Sequence, residues 1–129
     1  MNSQQIHEII QQTVDITILK LKAAGILKDN AKSAYEKTEA LLYQYNDLVK
    51  VNQPYAQKVV AEIDACIADI ANEPYKDVIK LYYFESLTNA ACASVLGCEE
   101  RTARRNRKAY VEKFSSRLAS DEFIRELLL

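Results

Sequence analysis

An all-α fold is what this sequence predicts, and three observations carry the prediction. Two glycines and two prolines in 129 residues leave too little punctuation for a many-turned β architecture. Apolar residues recur at helical spacing along most of the chain. Ser, Thr, Asp and Asn, whose short side chains satisfy the free N–H groups of a first turn, stand before those periodic stretches. With 49% hydrophobic residues the chain has material for a packed core, as one domain or one small domain with a helical extension.

Ser3 to about Ala24 reads as the first helix, with Ser3 as cap and Gly25 as stop. Within it Thr13-Val14-Asp15-Ile16-Thr17-Ile18 alternates like a strand, but a lone strand has nothing to pair with. A second helix is expected from about Ala31 to Val51, behind Asp29 and Asn30 as caps. It carries Ala34, Tyr35, Thr38, Leu41, Leu42, Tyr45, Leu48 and Val49 at helical spacing. Asn52-Gln53-Pro54 breaks it, and Pro54 suits the first turn of a third helix. That helix has the stripe Tyr55, Val59, Ile63, Cys66, Ile67 and Ile70, so the two form an antiparallel hairpin. Glu73-Pro74 then opens a helix through Tyr75, Val78, Ile79, Leu81, Tyr82, Tyr83 and Phe84, whose aromatics read as core. Ser120-Asp121-Glu122 caps a short last helix with Phe123, Ile124, Leu127, Leu128 and Leu129. The expected division is 1–72, a helical region with a possible role in oligomerisation, 73–118, a DNA-binding unit, and 119–129, the terminal helix.

The strongest functional pattern runs from Leu87 to Lys108. Thr88 is placed to cap a short helix whose apolar face is Ala91, Cys92, Val95 and Leu96, and small Ala93 suits a close helix crossing. Gly97 follows where the chain must turn through a left-handed conformation. A second helix then presents Arg101, Thr102, Arg104, Arg105, Arg107 and Lys108. This is the grammar of a helix-turn-helix with its second helix in a DNA major groove. Arg101, Thr102, Arg104 and Arg105 are the candidate base readers, because a guanidinium fork matches guanine O6 and N7. Arg107, Lys108 and Lys113 are the candidate phosphate contacts. Asn106 faces either a base or solvent.

Charge distribution supports that reading better than net charge does. The total is −1, yet Arg101 to Arg117 holds seven basic residues against Glu112 alone, a local balance of +6 on a body of −7. The enzyme classes lack parts: His7 is the one histidine, no serine sits in a nucleophile elbow, and Gly25 and Gly97 make no phosphate loop. Cys66, Cys92 and Cys98 lack Cys-x-x-Cys spacing, so they read as thiols rather than zinc ligands, and no cofactor is expected. There is no basic leader before an apolar block and no run of roughly 20 apolar residues, so a cytoplasmic location without membrane contact is expected.

From Asp77 onward the chain resembles the promoter-reading region four of sigma-70 family factors. The resemblance lies in Val78-Ile79-Lys80-Leu81-Tyr82-Tyr83-Phe84-Glu85-Ser86-Leu87-Thr88, in Ala93 with Val95-Leu96-Gly97-Cys98, and in Arg101-Thr102-Ala103-Arg104-Arg105. Ile18 to Lys50, including Leu-Lys-Ala-Ala-Gly-Ile-Leu-Lys-Asp-Asn and Tyr35 to Tyr45, is similar to the small phage and prophage regulators of the ArpU type. That resemblance implies a sigma-like protein of late-gene transcription, acting on duplex DNA with host RNA polymerase. Glu99 departs from the family's Ser or Thr, so the reading helix loses its usual cap, and Glu99 and Glu100 repel phosphates at its tip. The region that grips core polymerase in a full sigma factor has no counterpart, which argues against independent initiation. The hairpin of roughly Ala31 to Asn72 either self-associates, making a homodimer, or folds back to complete a monomeric core. A small terminase subunit and a protein-binding adaptor are the rival functional readings.

Overall fold

A computed structural model describes the backbone of residues 2–128 and the side chains of residues 2–12 and 25–127. Helices α1 (Ser3–Lys28), α2 (Ala34–Val49) and α3 (Pro54–Asp69) are followed by a π-helical segment (Lys80–Phe84), then α4 (Asn89–Leu96), α5 (Glu100–Leu118) and α6 (Asp121–Leu128). The described residues contain helices and turns and no strand, so the all-α expectation holds.

The starts of α1, α2, α3 and α6 each have a chemical cause. Asn2 Oδ1 accepts from the Gln5 N–H at 2.8 Å and Gln5 Oε1 from the Asn2 N–H at 3.0 Å, so a capping box at Asn2, one residue before Ser3, starts α1. A second box, Ser33 with Glu36, starts α2 three residues beyond the expected Ala31. Asp29 instead closes the preceding turn by accepting from the Ala31 N–H at 2.9 Å. Gly25 does not stop α1, which continues to Lys28 and brings Leu27 into the core. The strand-like stretch at Thr13–Ile18 is helical; its side chains lie outside the described residues. Pro54 takes the first turn of α3, and Ser120 Oγ accepts from the Phe123 N–H at 3.1 Å to start α6. Leu128 and Leu129 of its expected apolar side lie outside the described side chains.

The segment after Pro74 departs from the expected α-helix. Residues 74–77 form turns, Val78 and Ile79 one helical step, and Lys80–Phe84 a π-helix closed by Glu85 N–H to Lys80 O at 2.9 Å. Ser86 has a φ of +58°, a left-handed conformation uncommon outside glycine, and it redirects the chain into Leu87 and α4. The wider turn keeps Ile79 and Tyr83 facing inward while Tyr82 and Phe84 lie half-buried.

One buried cluster runs from Leu27 through Leu42, Ile63, Val78 and Phe114 to Phe123. The hairpin α2–α3 folds back: both helices pack on α5, which also packs on α4 and α6. Residue 72 is therefore no boundary between cores, because the apolar stripes of 1–72 and 73–118 close on each other. The inward residues of α2 are Thr38, Leu41, Leu42 and Leu48, while Val49 is exposed at the helix end. Those of α3 are Tyr55, Ala56, Val59, Ile63 and Cys66; of the rest of the expected stripe, Ile67 is half-buried and Ile70 is buried at the C-cap.

Phe114→Ala, which empties the centre of this core, is expected to lower the unfolding free energy by about 3–5 kcal/mol, while exposed Val95→Ala stays within about 0.5 kcal/mol. Chemical denaturation followed by circular dichroism measures both. Thiol accessibility gives a second check. Burial pushes the Cys66 thiol up to about 12, and Cys92 is likewise buried and raised, whereas Cys98 is half-exposed. A maleimide at neutral pH is expected to modify Cys98 in the native protein, and Cys66 and Cys92 after unfolding.

Candidate nucleic-acid interface

Helices α4 and α5 are joined by Gly97, Cys98 and Glu99, and each joint in this unit follows from a residue. Thr88 Oγ1 accepts from the Ala91 N–H at 3.1 Å, which starts α4. Gly97 ends it at φ +68°, with the Cys98 N–H donating back to Ala93 O at 3.0 Å. A Cβ at Gly97 would meet open space, so the backbone conformation alone is what favours glycine there. Cys92 and Ala93 of α4 and Ala103 of α5 are buried where the helices pack, and such small side chains suit a close approach. Val95 was expected on the inner face; it is 64% exposed, because α4 turns its Cys92 and Ala93 side inward and carries Val95 outside.

Helix α5 divides by face. Ala103, Arg107, Tyr110, Val111, Phe114, Ser115 and Leu118 are buried, and Arg101, Arg104, Arg105, Lys108 and Lys113 are exposed. Steps of four and three residues set Arg101, Arg105 and Lys108 on one line facing solvent. Lys113 lies on its flank, and Thr102 is half-buried. Arg104 Nη2 donates to Glu100 Oε1 at 3.1 Å, an exposed pair one turn apart, so this guanidinium already has a carboxylate. Asn106 folds back on its own helix, donating to Thr102 O at 2.8 Å. Glu99 occupies the N-cap of α5 with no side-chain hydrogen bond, as its departure from Ser or Thr implied.

Arg107 corrects the expectation of a phosphate contact. It is only 5% exposed, and its guanidinium reaches into the protein. Nη1 donates to the Tyr83 hydroxyl at 3.2 Å and to Glu39 Oε2 at 3.4 Å, and Nη2 donates to Asn89 Oδ1 at 3.4 Å. The Tyr82 ring lies beneath it, 3.9 Å from the guanidinium carbon to the ring centroid. Tyr83 donates its own proton to Glu39 Oε2 at 2.6 Å, and burial followed by that bond raises its pKa well above the ordinary tyrosine value. Helical phase explains the correction: residue 107 falls between Ala103 and Tyr110 on the inward face, so any side chain there points at the core. Glu39, Tyr83 and Asn89 are the residues that sequence reading missed as its partners. Glu39 is 68 positions away, and no local pattern joins the two.

Arg117, counted in the basic stripe, is also engaged. Its Nε donates to Glu62 Oε1 at 2.8 Å and its Nη1 to Asp69 Oδ2 at 2.7 Å, fastening the end of α5 to α3. Of the seven basic residues between 101 and 117, Arg101, Arg105, Lys108 and Lys113 have no carboxylate within 4.0 Å among the described residues.

Glu99→Ser is expected to stabilise the protein by about 0.5–1 kcal/mol, because a serine hydroxyl there satisfies a free N–H at the start of α5. Thermal and denaturant unfolding of the variant measure the gain. No family model, curated protein or solved structure matches the chain, so the interface rests on its own geometry.

Proposed function

We propose that this chain is a sequence-specific reader of duplex DNA, with α5 as the helix that enters the major groove and α4 as its scaffold. The observation that carries the reading is the outward line of Arg101, Arg105 and Lys108 on a helix whose opposite face is locked into the core. Such a helix presents cations on a rigid element, which base recognition needs. Arg101 and Arg105 are the proposed base readers, with Thr102 and Arg104 beside them, and Lys108 and Lys113 take phosphates. Arg104 must release Glu100 to reach a base, and an exposed pair of this kind yields for about 0.3–0.5 kcal/mol.

The biological role we propose is transcriptional regulation of phage or prophage type, through an encounter between host RNA polymerase and a late promoter. It rests on the resemblance to sigma region four and to ArpU-type regulators. A homodimer on two half-sites about one DNA turn apart would need a surface other than the inward faces of α2 and α3, which the core occupies. Among the described residues no helix is long and apolar enough to cross a membrane.

Fluorescence anisotropy with mixed-sequence duplexes across a salt series tests the assignment. On mixed-sequence duplexes, where no base is selected, all four free cations meet phosphates, which predicts a slope of about −3 to −4 in log affinity against log salt, a loss of roughly a hundredfold between 50 and 200 mM. The double variant Arg105→Ala, Lys108→Ala is expected to bind weakly with a slope shallower by about two. Equal binding by that variant, or no binding at low salt, would remove α5 as the reader.

A further inference from the structure

Resting on the DNA-reading assignment, we infer that Glu39, on α2 and far from the outward face of α5, is a positioning residue for base recognition, acting through Tyr83 and Arg107. Apolar packing sets which side of α5 faces inward, but its contacts are non-directional and tolerate small rotations of the helix about its own axis. Hydrogen bonds do. The Arg107 fork is the one buried polar link running from α5 to three separate elements among the described residues. Nη1 reaches Glu39 on α2 and Tyr83 in the π segment, and Nη2 reaches Asn89, the first residue of α4. The Tyr82 ring under the guanidinium fixes its plane. Scaffold helix and reading helix are thus referenced to the same fork.

Glu39 holds the fork in place from the other side. Its Oε2 accepts from both the Tyr83 hydroxyl, at 2.6 Å, and Arg107 Nη1. It is also the carboxylate that compensates a guanidinium otherwise buried without a counter-charge. Removing its charge loosens Arg107, and with it the phase at which Arg101 and Arg105 meet base edges. Phosphate contacts tolerate such a shift, because flexible lysines follow the backbone; a bidentate contact to a base does not.

The test starts by selecting a preferred duplex with the wild-type chain. Affinities for that duplex and for a scrambled one are then measured for Glu39→Gln and Tyr83→Phe, at a temperature where circular dichroism shows both variants folded. Gln keeps the shape and an acceptor oxygen, and Phe removes only a hydroxyl. The preference for the selected duplex is expected to fall about tenfold in each, the worth of one misaligned base contact, with scrambled-duplex affinity within about twofold of wild type. An unchanged preference with only a lower melting temperature would overturn the positioning role and leave DNA reading standing. A wild-type chain that binds no duplex would overturn both.

Discussion

The structure depends on one constraint: α5 is at once the wall of the core and the carrier of the exposed cations. Its inner face buries Ala103, Tyr110, Val111, Phe114 and Leu118, and helices α2, α3, α4 and α6 all pack on it. A nineteen-residue helix held along one whole side cannot flex independently of the domain. The outward row of Arg101, Arg105 and Lys108 therefore inherits the rigidity of a core it does not touch. This is also why the chain does not divide at residue 72. Separating residues 73–118 from residues 1–72 would strip the apolar cover from α5, leaving Val111 and Phe114 in water.

Arg107 shows how a cation on that helix can serve the interior. Burying a guanidinium is costly, and pairing it with a carboxylate returns little net stability over an apolar substitute. Its value lies in direction. The fork accepts one arrangement of Glu39, Tyr83 and Asn89, whereas the aliphatic contacts around it would tolerate small rotations. Nε of the same guanidinium has no hydrogen-bond partner among the described residues, so even this network leaves one donor unused. A buried polar group kept under those terms is more readily explained by geometric specificity than by stability, consistent with its place between the two helices of the proposed DNA-binding unit.

Most of the architecture was legible from local chemistry. Thr88, Gly97, Pro54 and Ser120 each act where their side-chain or backbone preferences place them, and the α3 stripe runs inward almost as spaced. Two local signals were misread, and the rest of what escaped is not local. Ser33 overrides Asp29 and Asn30 as the cap of α2 because Glu36 three residues on completes a box. Gly25 fails as a stop because a helix interior tolerates one glycine where neighbouring turns hold the hydrogen bonds. The π segment carries an ordinary helical pattern of apolar residues, so nothing in its composition announces the wider turn. At the candidate interface, residue type singled out α5, but type alone could not separate Arg107 from Arg105. Their helical phase, set by the core, places one inside and the other in solvent.

The distribution of acids completes the physical picture. The chain is net negative, and its basic segment is partly neutralised from within: Glu100 holds Arg104, Glu39 holds Arg107, and Glu62 with Asp69 holds Arg117. Glu99 and Glu100 also stand at the start of α5, where the helix dipole favours anions and a phosphate would otherwise be drawn. A DNA backbone approaching that tip meets two carboxylates. The outward side of the helix instead offers Arg101 and Arg105 to base edges and Lys108 to a phosphate, spread over about 10 Å of axis. The proposed complex therefore has α5 lying along the groove with the row Arg101, Arg105 and Lys108 toward the DNA, rather than pointing its acidic tip at a phosphate. Long-range attraction is weak for such a molecule, so selectivity must come from the few contacts that the core holds in place.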